Sequence, residues 1–186
     1  LPAAIHAVPS AFVAAQLDAV LGVYDIRALK TGMLAVPEVI EAVAERLATW
    51  SEIAKVVDPV MVATSGARLL PDAAVATLKA KLLPLARVIT PNIPETEALT
   101  GLSIDGRQAV REAAKRLHGE YGCAVLVKGG HAVGDLAAAE DTLQTTQPAS
   151  AGRPPEGTSR LASTEMICFS EPCGYLTGIT AISMPV

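Results

Sequence analysis

The sequence predicts an α/β domain built on a parallel sheet. Short apolar runs of three to five residues alternate with stretches of helical apolar spacing through the first two thirds of the chain. The segments between the runs are long enough for a crossover helix and too long for hairpins, which favours right-handed βαβ units. The runs are apolar throughout, a pattern that implies helices on both faces of the sheet.

Taken in order, Phe12, Val13, Gln16, Leu17, Val20 and Leu21 recur at helical spacing, and Gly22 is a stop. Ile26 to Lys30 reads as a short strand. Pro37 opens a helix with Val39, Ile40, Val43, Ala44 and Leu47 on one face. Lys55 to Val57 is the next strand, and a loop containing Thr64-Ser65-Gly66 comes after it. Pro71 starts a helix carrying Val75, Leu78 and Leu82, and Arg87 to Thr90 reads as a strand. Pro94 to Leu99 is a short helix. A longer one turns Ala109, Val110, Ala113, Ala114 and Leu117 inward, and Ala124 to Val127 is a further strand. From about Asp141 the character changes. Gln144 to Glu165 is rich in Thr, Ser, Pro, Gly and Gln, a composition that predicts disorder, and Leu161 to Val186 shows no clean period.

Composition narrows the function classes. The 186 residues are 51% hydrophobic but only 3% aromatic, so the core of one domain must come from Ala, Val, Leu and Ile. A net charge of −4 without any Lys/Arg run argues against a nucleic-acid partner. The apolar run Cys123 to Val127 has five residues and none is longer, against the ~20 that a membrane-crossing helix requires, so no membrane partner is expected. Cys123, Cys168 and Cys173 form no CxxC and leave an odd thiol. That points away from a disulfide framework or a zinc site and towards the reducing cytoplasm. The chain opens at Leu1 with no charged segment leading into an apolar one, so no signal peptide is read there and the start is taken as a truncation.

In open parallel sheets ligands bind outside the carboxyl ends of the strands. Those ends are Lys30-Thr31-Gly32-Met33, Asp58-Pro59-Val60-Met61, Thr90-Pro91-Asn92-Ile93-Pro94-Glu95 and Lys128-Gly129-Gly130-His131. They bring two carboxylates, an amide and two ammonium groups to one edge, the usual equipment of phosphoryl transfer with Mg²⁺. Loops are polar in any case, so each position alone is also read as ordinary loop. No Gly-x-x-x-x-Gly-Lys-Ser/Thr and no Gly-x-Gly-x-x-Gly comes after a strand, which disfavours a Walker-type NTPase and a dinucleotide-binding oxidoreductase.

Four segments resemble one family in order and spacing. They are Ala28 to Leu34, Val56 to Gly66, Thr90 to Glu95 and Val127 to His131, and the family is the hydroxymethylpyrimidine/phosphomethylpyrimidine kinases of thiamine biosynthesis. The resemblance covers about residues 3–135. It implies a ribokinase-like three-layer fold, mostly parallel and here incomplete, with ATP and Mg²⁺ as cofactors and a small pyrimidine as substrate. By that resemblance Asp58 and Glu95 lie at the metal, and Asn92, Glu95 and Lys128 at ATP. Met33 and Val60 line the pyrimidine pocket, and no catalytic base is assigned. Pyridoxal-type kinases are the nearest rival within the same fold.

The departures are equally specific. The family's opening glycine-rich turn and Gln-Asn-Thr stretch would precede Leu1. Its late Gly-Thr-Gly-Cys, which opens a phosphate-holding helix, has no counterpart: Glu156-Gly157-Thr158 is followed by Ser159, and neither Cys168 nor Cys173 is preceded by Gly-Thr-Gly. The expectation is a partial kinase domain over 1–140 and a non-family tail over 141–186, without measurable turnover. A non-catalytic nucleotide- or partner-binding remnant is the alternative. An unpaired sheet edge would promote self-association, and the family's habit implies a homodimer. Of the remaining residues, His6 reads as loop, His118 as a helix-end cap, Cys123 as a buried hydrophobe, Trp50 as helix-end packing, and His131 as either structural or nucleotide-facing.

Overall fold

Each of four short strands leads into a helix or loop that returns the chain to the same end of the sheet, so the strands line up in chain order. The computed structural model describes residues 8–62 and 68–128, and the backbone of 142–144 and 179–182. In it β1 (Ala28–Thr31), β2 (Ala54–Val57), β3 (Val88–Ile89) and β4 (Ala124–Val127) are parallel neighbours. Leu29 pairs with Lys55, Val57 with Ile89, and Ile89 with Val125. Two further strands, β5 (Thr142–Gln144) beside β4 and β6 (Ile179–Ile182) beside β1, close the edges antiparallel and give the order β5-β4-β3-β2-β1-β6. The edge of β1, expected to be bare, is therefore paired. Apart from Gln144 at the end of β5, the stretch Gln144 to Glu165 lies outside the described residues.

The helices form where the apolar spacing places them. α1 (Ser10–Leu21) buries Val13, Ala14, Leu17 and Leu21. α2 (Pro37–Thr49) has Pro37 in its first turn, where a missing N–H costs nothing, and buries Val39, Ile40, Val43, Ala44 and Leu47. An ion pair from Arg46 to Asp18, 3.0 Å, ties α2 to α1. α3 (Asp72–Thr77) runs on through a π turn (Leu78–Leu82) into a 3₁₀ turn (Leu83–Leu85). Pro84 removes an N–H that an α-helix would need, and the change of pitch lets Leu78, Leu82 and Leu83 all face inward. α4 (Ile93–Thr100) ends at Gly101 and α5 (Arg107–Tyr121) at Gly122, both left-handed, with φ 71° and 67°. No helix among the described residues is long and apolar enough to cross a membrane.

These helices pack with one face of the sheet. Leu29, Val57, Ile89, Val125 and Val127 join the same buried cluster as Ile40, Val43, Leu47, Leu82 and Leu117. Of their neighbours along the strands, Ala28, Ala54, Val56, Val88 and Ala124 are half-buried and Leu126 is buried. Strands wound in one direction with right-handed crossovers send every crossover helix to the same side.

Lys55 brings a charged group to the packed face. It is 5% exposed, and its Nζ donates to the carbonyls of Trp50, 2.5 Å, and Ile53, 2.8 Å, just past the end of α2. Burial lowers its pKa and the Glu52 carboxylate pulls the other way. Lys55→Met keeps the volume but deprives the Ile53 carbonyl of its donor. We expect a loss of about 1–2 kcal/mol, read as a lower urea midpoint at unchanged slope.

Candidate active site

Backbone pairing continues one step past each strand and so holds the first loop residues in place. The Asp58 N–H donates to the Thr31 carbonyl, 3.0 Å, and the Thr90 N–H to that of Val57, 3.0 Å. The Lys128 N–H reaches the Pro91 carbonyl at 2.8 Å, and Asn92 and Lys128 form an isolated parallel bridge. Asp58, Thr90, Asn92 and Lys128 are thereby set along the carboxyl edge by the sheet itself.

Side chains alternate across a strand, so Lys30 and Asp58 point away from the packed face that Thr31 and Val57 occupy. There the two lysines converge. Lys30 Nζ donates to Asp58 Oδ2 at 2.9 Å, and Lys128 Nζ to Asp58 Oδ1 at 2.8 Å. The Asp58 side chain is 12% exposed, against 42% for Lys30 and 28% for Lys128. Two ammonium groups thus share one carboxylate at this edge, with Glu95 close enough for its charge to act on Lys128 and Asp58.

Glu95 and Asn92 are joined to each other. The Asn92 Oδ1 accepts from the Glu95 N–H, 2.8 Å, and Glu95 Oε2 accepts from the Asn92 N–H, 2.8 Å, a reciprocal cap on α4. The second Glu95 oxygen, Oε1, accepts from the Met61 N–H at 3.3 Å, so the carboxylate also fastens the loop leaving β2. Glu95 is 2% exposed. Burial raises its pKa, opposed by the Asn92 N–H and the Lys128 charge, while the nearby Asp58 adds to the rise. The spacing Asn92-x-x-Glu95 is a capping signature present in the sequence itself, beside the charges that suggest metal chemistry.

The other predicted residues sit on the same edge. Met33 and Val60 are half-buried on the loops leaving the neighbouring strands β1 and β2, and the Val60 N–H donates to the Asp58 carbonyl at 2.8 Å. Two residues beyond Met33, Ala35 holds a left-handed φ of 59°, the one non-glycine to do so among the described residues. The buried hydroxyls of Thr31 and Thr90 have no partner among the described residues. Thr64, Ser65, Gly66, Gly129, Gly130 and His131 lie outside the described residues.

For Mg²⁺, the described residues hold no group of three or more His, Cys, Asp or Glu that would cage an ion. Mg²⁺ at phosphotransfer sites instead takes one or two carboxylates plus phosphate oxygens, and Asp58, whose oxygens are held by two side-chain ammonium groups rather than by backbone, is the carboxylate that fits that mode. Both Glu95 oxygens are engaged by backbone N–H groups.

Residues 2–158 match the phosphomethylpyrimidine kinase family. The chain belongs to that family. It is 51% identical over 127 residues to the thiamine biosynthesis bifunctional protein ThiED of Geobacter sulfurreducens, covering 68% of this chain and 26% of that protein. Among solved structures it resembles the phosphomethylpyrimidine kinase of Clostridium difficile 630, with 35% identity, a TM-score of 0.70, and coverage of 76% of this chain and 60% of that one. The pyridoxal kinase of Staphylococcus aureus in complex with ADP is similar at 30% identity and a TM-score of 0.65, over 75% of this chain and 50% of that one. The fold is ribokinase-like, as the strand-end motifs implied. The chain spans about half the length of the hydroxymethylpyrimidine/phosphomethylpyrimidine kinases that it matches.

Proposed function

We propose that this phosphomethylpyrimidine kinase-family chain is the nucleotide- and acceptor-binding part of a cytoplasmic phosphotransferase. In this reading it binds ATP and an aminopyrimidine bearing a hydroxymethyl or phosphomethyl group. The observation that carries the reading is Asp58 held between Lys30 and Lys128 at the carboxyl edge. Lys128 and Asn92 are assigned to the donor phosphates and Met33 and Val60 to the flat, weakly polar pyrimidine. Asp58 would hold Mg²⁺, which when bound neutralises charge on the transferring phosphoryl group. Glu95 acts from behind: it fixes Asn92 and the Met61 loop, and its charge acts on Asp58 and Lys128 without leaving the backbone.

Calorimetric titration tests this. The chain is expected to bind Mg·ATP, and Asp58→Asn to weaken that binding by about tenfold or more with little change in melting temperature. No binding by the parent chain, or unchanged affinity in Asp58→Asn, would overturn the reading. The likeness to pyridoxal kinases supports one competitor, an acceptor of pyridoxal type. Displacement of a bound pyrimidine by pyridoxal at lower concentration would favour it. Since the chain has no Gly-Thr-Gly-Cys, whose N–H groups would hold the transferring phosphate, we expect binding without measurable turnover. Each such preorganised donor is worth ~10²–10³ in rate.

A further inference from the structure

Building on that proposed function, we infer that Lys30 is the residue that receives the acceptor's own phosphate, and so sets the preference between a phosphomethyl and a hydroxymethyl pyrimidine. One ammonium is enough to neutralise Asp58, and Lys128 supplies it at 2.8 Å on Oδ1. Lys30 adds a second at 2.9 Å on Oδ2, and its side chain is the most open of the three, 42% exposed. An ammonium has three donors, and Asp58 takes one of those of Lys30. Lys30 thus keeps unused donor capacity at the open side of Asp58, away from Lys128 and the Glu95 charge that acts on it.

Position decides which anion that cation meets. Lys128 lies just past β4 and bridges to Asn92, on the side assigned to the donor phosphates. Lys30 lies at the opposite side of Asp58, on β1, three residues before Met33 on the side assigned to the pyrimidine. The two acceptors make different demands. A hydroxymethyl oxygen attacks the γ-phosphorus and gives up its proton to water, and the bond from that phosphorus to the bridging oxygen breaks with the electron pair leaving on ADP. A phosphomonoester oxygen makes the same bond and breaks the same bond, but as a dianion it has no proton to lose. Its difficulty is instead repulsion from the donor phosphates, which a fixed cation beside the acceptor's phosphate relieves. Lys30 is the cation placed to do so, and the uncharged acceptor has no use for it.

The test titrates the 186-residue chain and three variants with the hydroxymethylpyrimidine, its monophosphate and Mg·ADP. In Lys30→Met, affinity for the monophosphate should fall by about tenfold or more while the alcohol stays within about twofold. Lys30→Arg should restore most of the loss, because it returns the charge. Lys128→Met should show the complementary pattern, weakening Mg·ADP more than the monophosphate. Equal loss for both pyrimidines in Lys30→Met, or a loss confined to Mg·ADP, overturns the assignment of Lys30 and leaves the proposed function standing. A chain that binds Mg·ADP but neither pyrimidine removes the acceptor half of the proposed function, and the role of Lys30 with it.

Discussion

Replacing Glu95 by Ala should lower stability by about 2–4 kcal/mol, measured as the urea midpoint, although the residue lies at the edge proposed to bind ligand. The change removes two acceptors at once. The Asn92 N–H at the start of α4 and the Met61 N–H in the loop after β2 are both left without the carboxylate that now joins them. Glu95→Gln should cost less, about 1–2 kcal/mol, because one carbonyl oxygen remains while the amide NH₂ confronts the other N–H. The pH dependence gives a second check. Burial raises the Glu95 pKa, so just above the ordinary carboxylate range the folded chain holds a proton that the unfolded chain has released. That contribution is fully present below the unfolded pKa and is lost as pH rises through the folded one. Stability compared between wild type and Glu95→Gln from about pH 4 to about pH 7 should therefore narrow as pH rises. A gap that is constant or widens would show that burial does not dominate at this carboxyl group.

Leu47→Ala should be the most damaging single truncation on the packed face, at about 2–5 kcal/mol. Leu47 is fully buried on α2, and α2 touches α1, α3 and the π turn, so the cavity opens at the centre of the helical layer. Phe12→Ala is the matched control. The ring is larger, yet Phe12 is 60% exposed on α1, and its removal should change stability by less than about 0.5 kcal/mol. If the two losses are similar, α1 is covered in solution by something beyond the neighbours described above.

Local pattern is enough for the parallel core. The apolar stretch Ala124 to Val127 coincides with β4, and Pro37 stands where α2 begins, because an uninterrupted β-prone run and a proline at a helix start each leave the backbone few options. The strand-end rule gathers Lys30, Asp58 and Lys128, which the fold joins through hydrogen bonds. Two kinds of feature escape it. The charge of Glu95 suggests a ligand for metal, whereas its three-residue spacing from Asn92 spells a helix cap, and backbone N–H groups occupy both carboxylate oxygens. Lys55 sits on the same strand face as Val57, yet its burial depends on carbonyls at the end of α2, and the strand pattern around Lys55 gives no sign of them. Strands β5 and β6 are illegible for a related reason. Each is three or four residues long, and what makes it a strand is a partner outside its own segment.

For β6 that separation governs the order in which the sheet is assembled. Pairing β1 with β2, β2 with β3 and β3 with β4 joins residues about one crossover apart, whereas pairing Ala28 with Ile182 closes nearly the whole chain into a loop. The entropic cost of closure grows with the logarithm of loop length, and distant pairings wait for nearer ones. The four parallel strands can therefore zip in sequence, with β6 added last as a latch on a sheet already formed. In the reverse direction the latch lifts first, and amide protons on the outer side of β1 should exchange ahead of those between β2 and β3 whenever the native state opens.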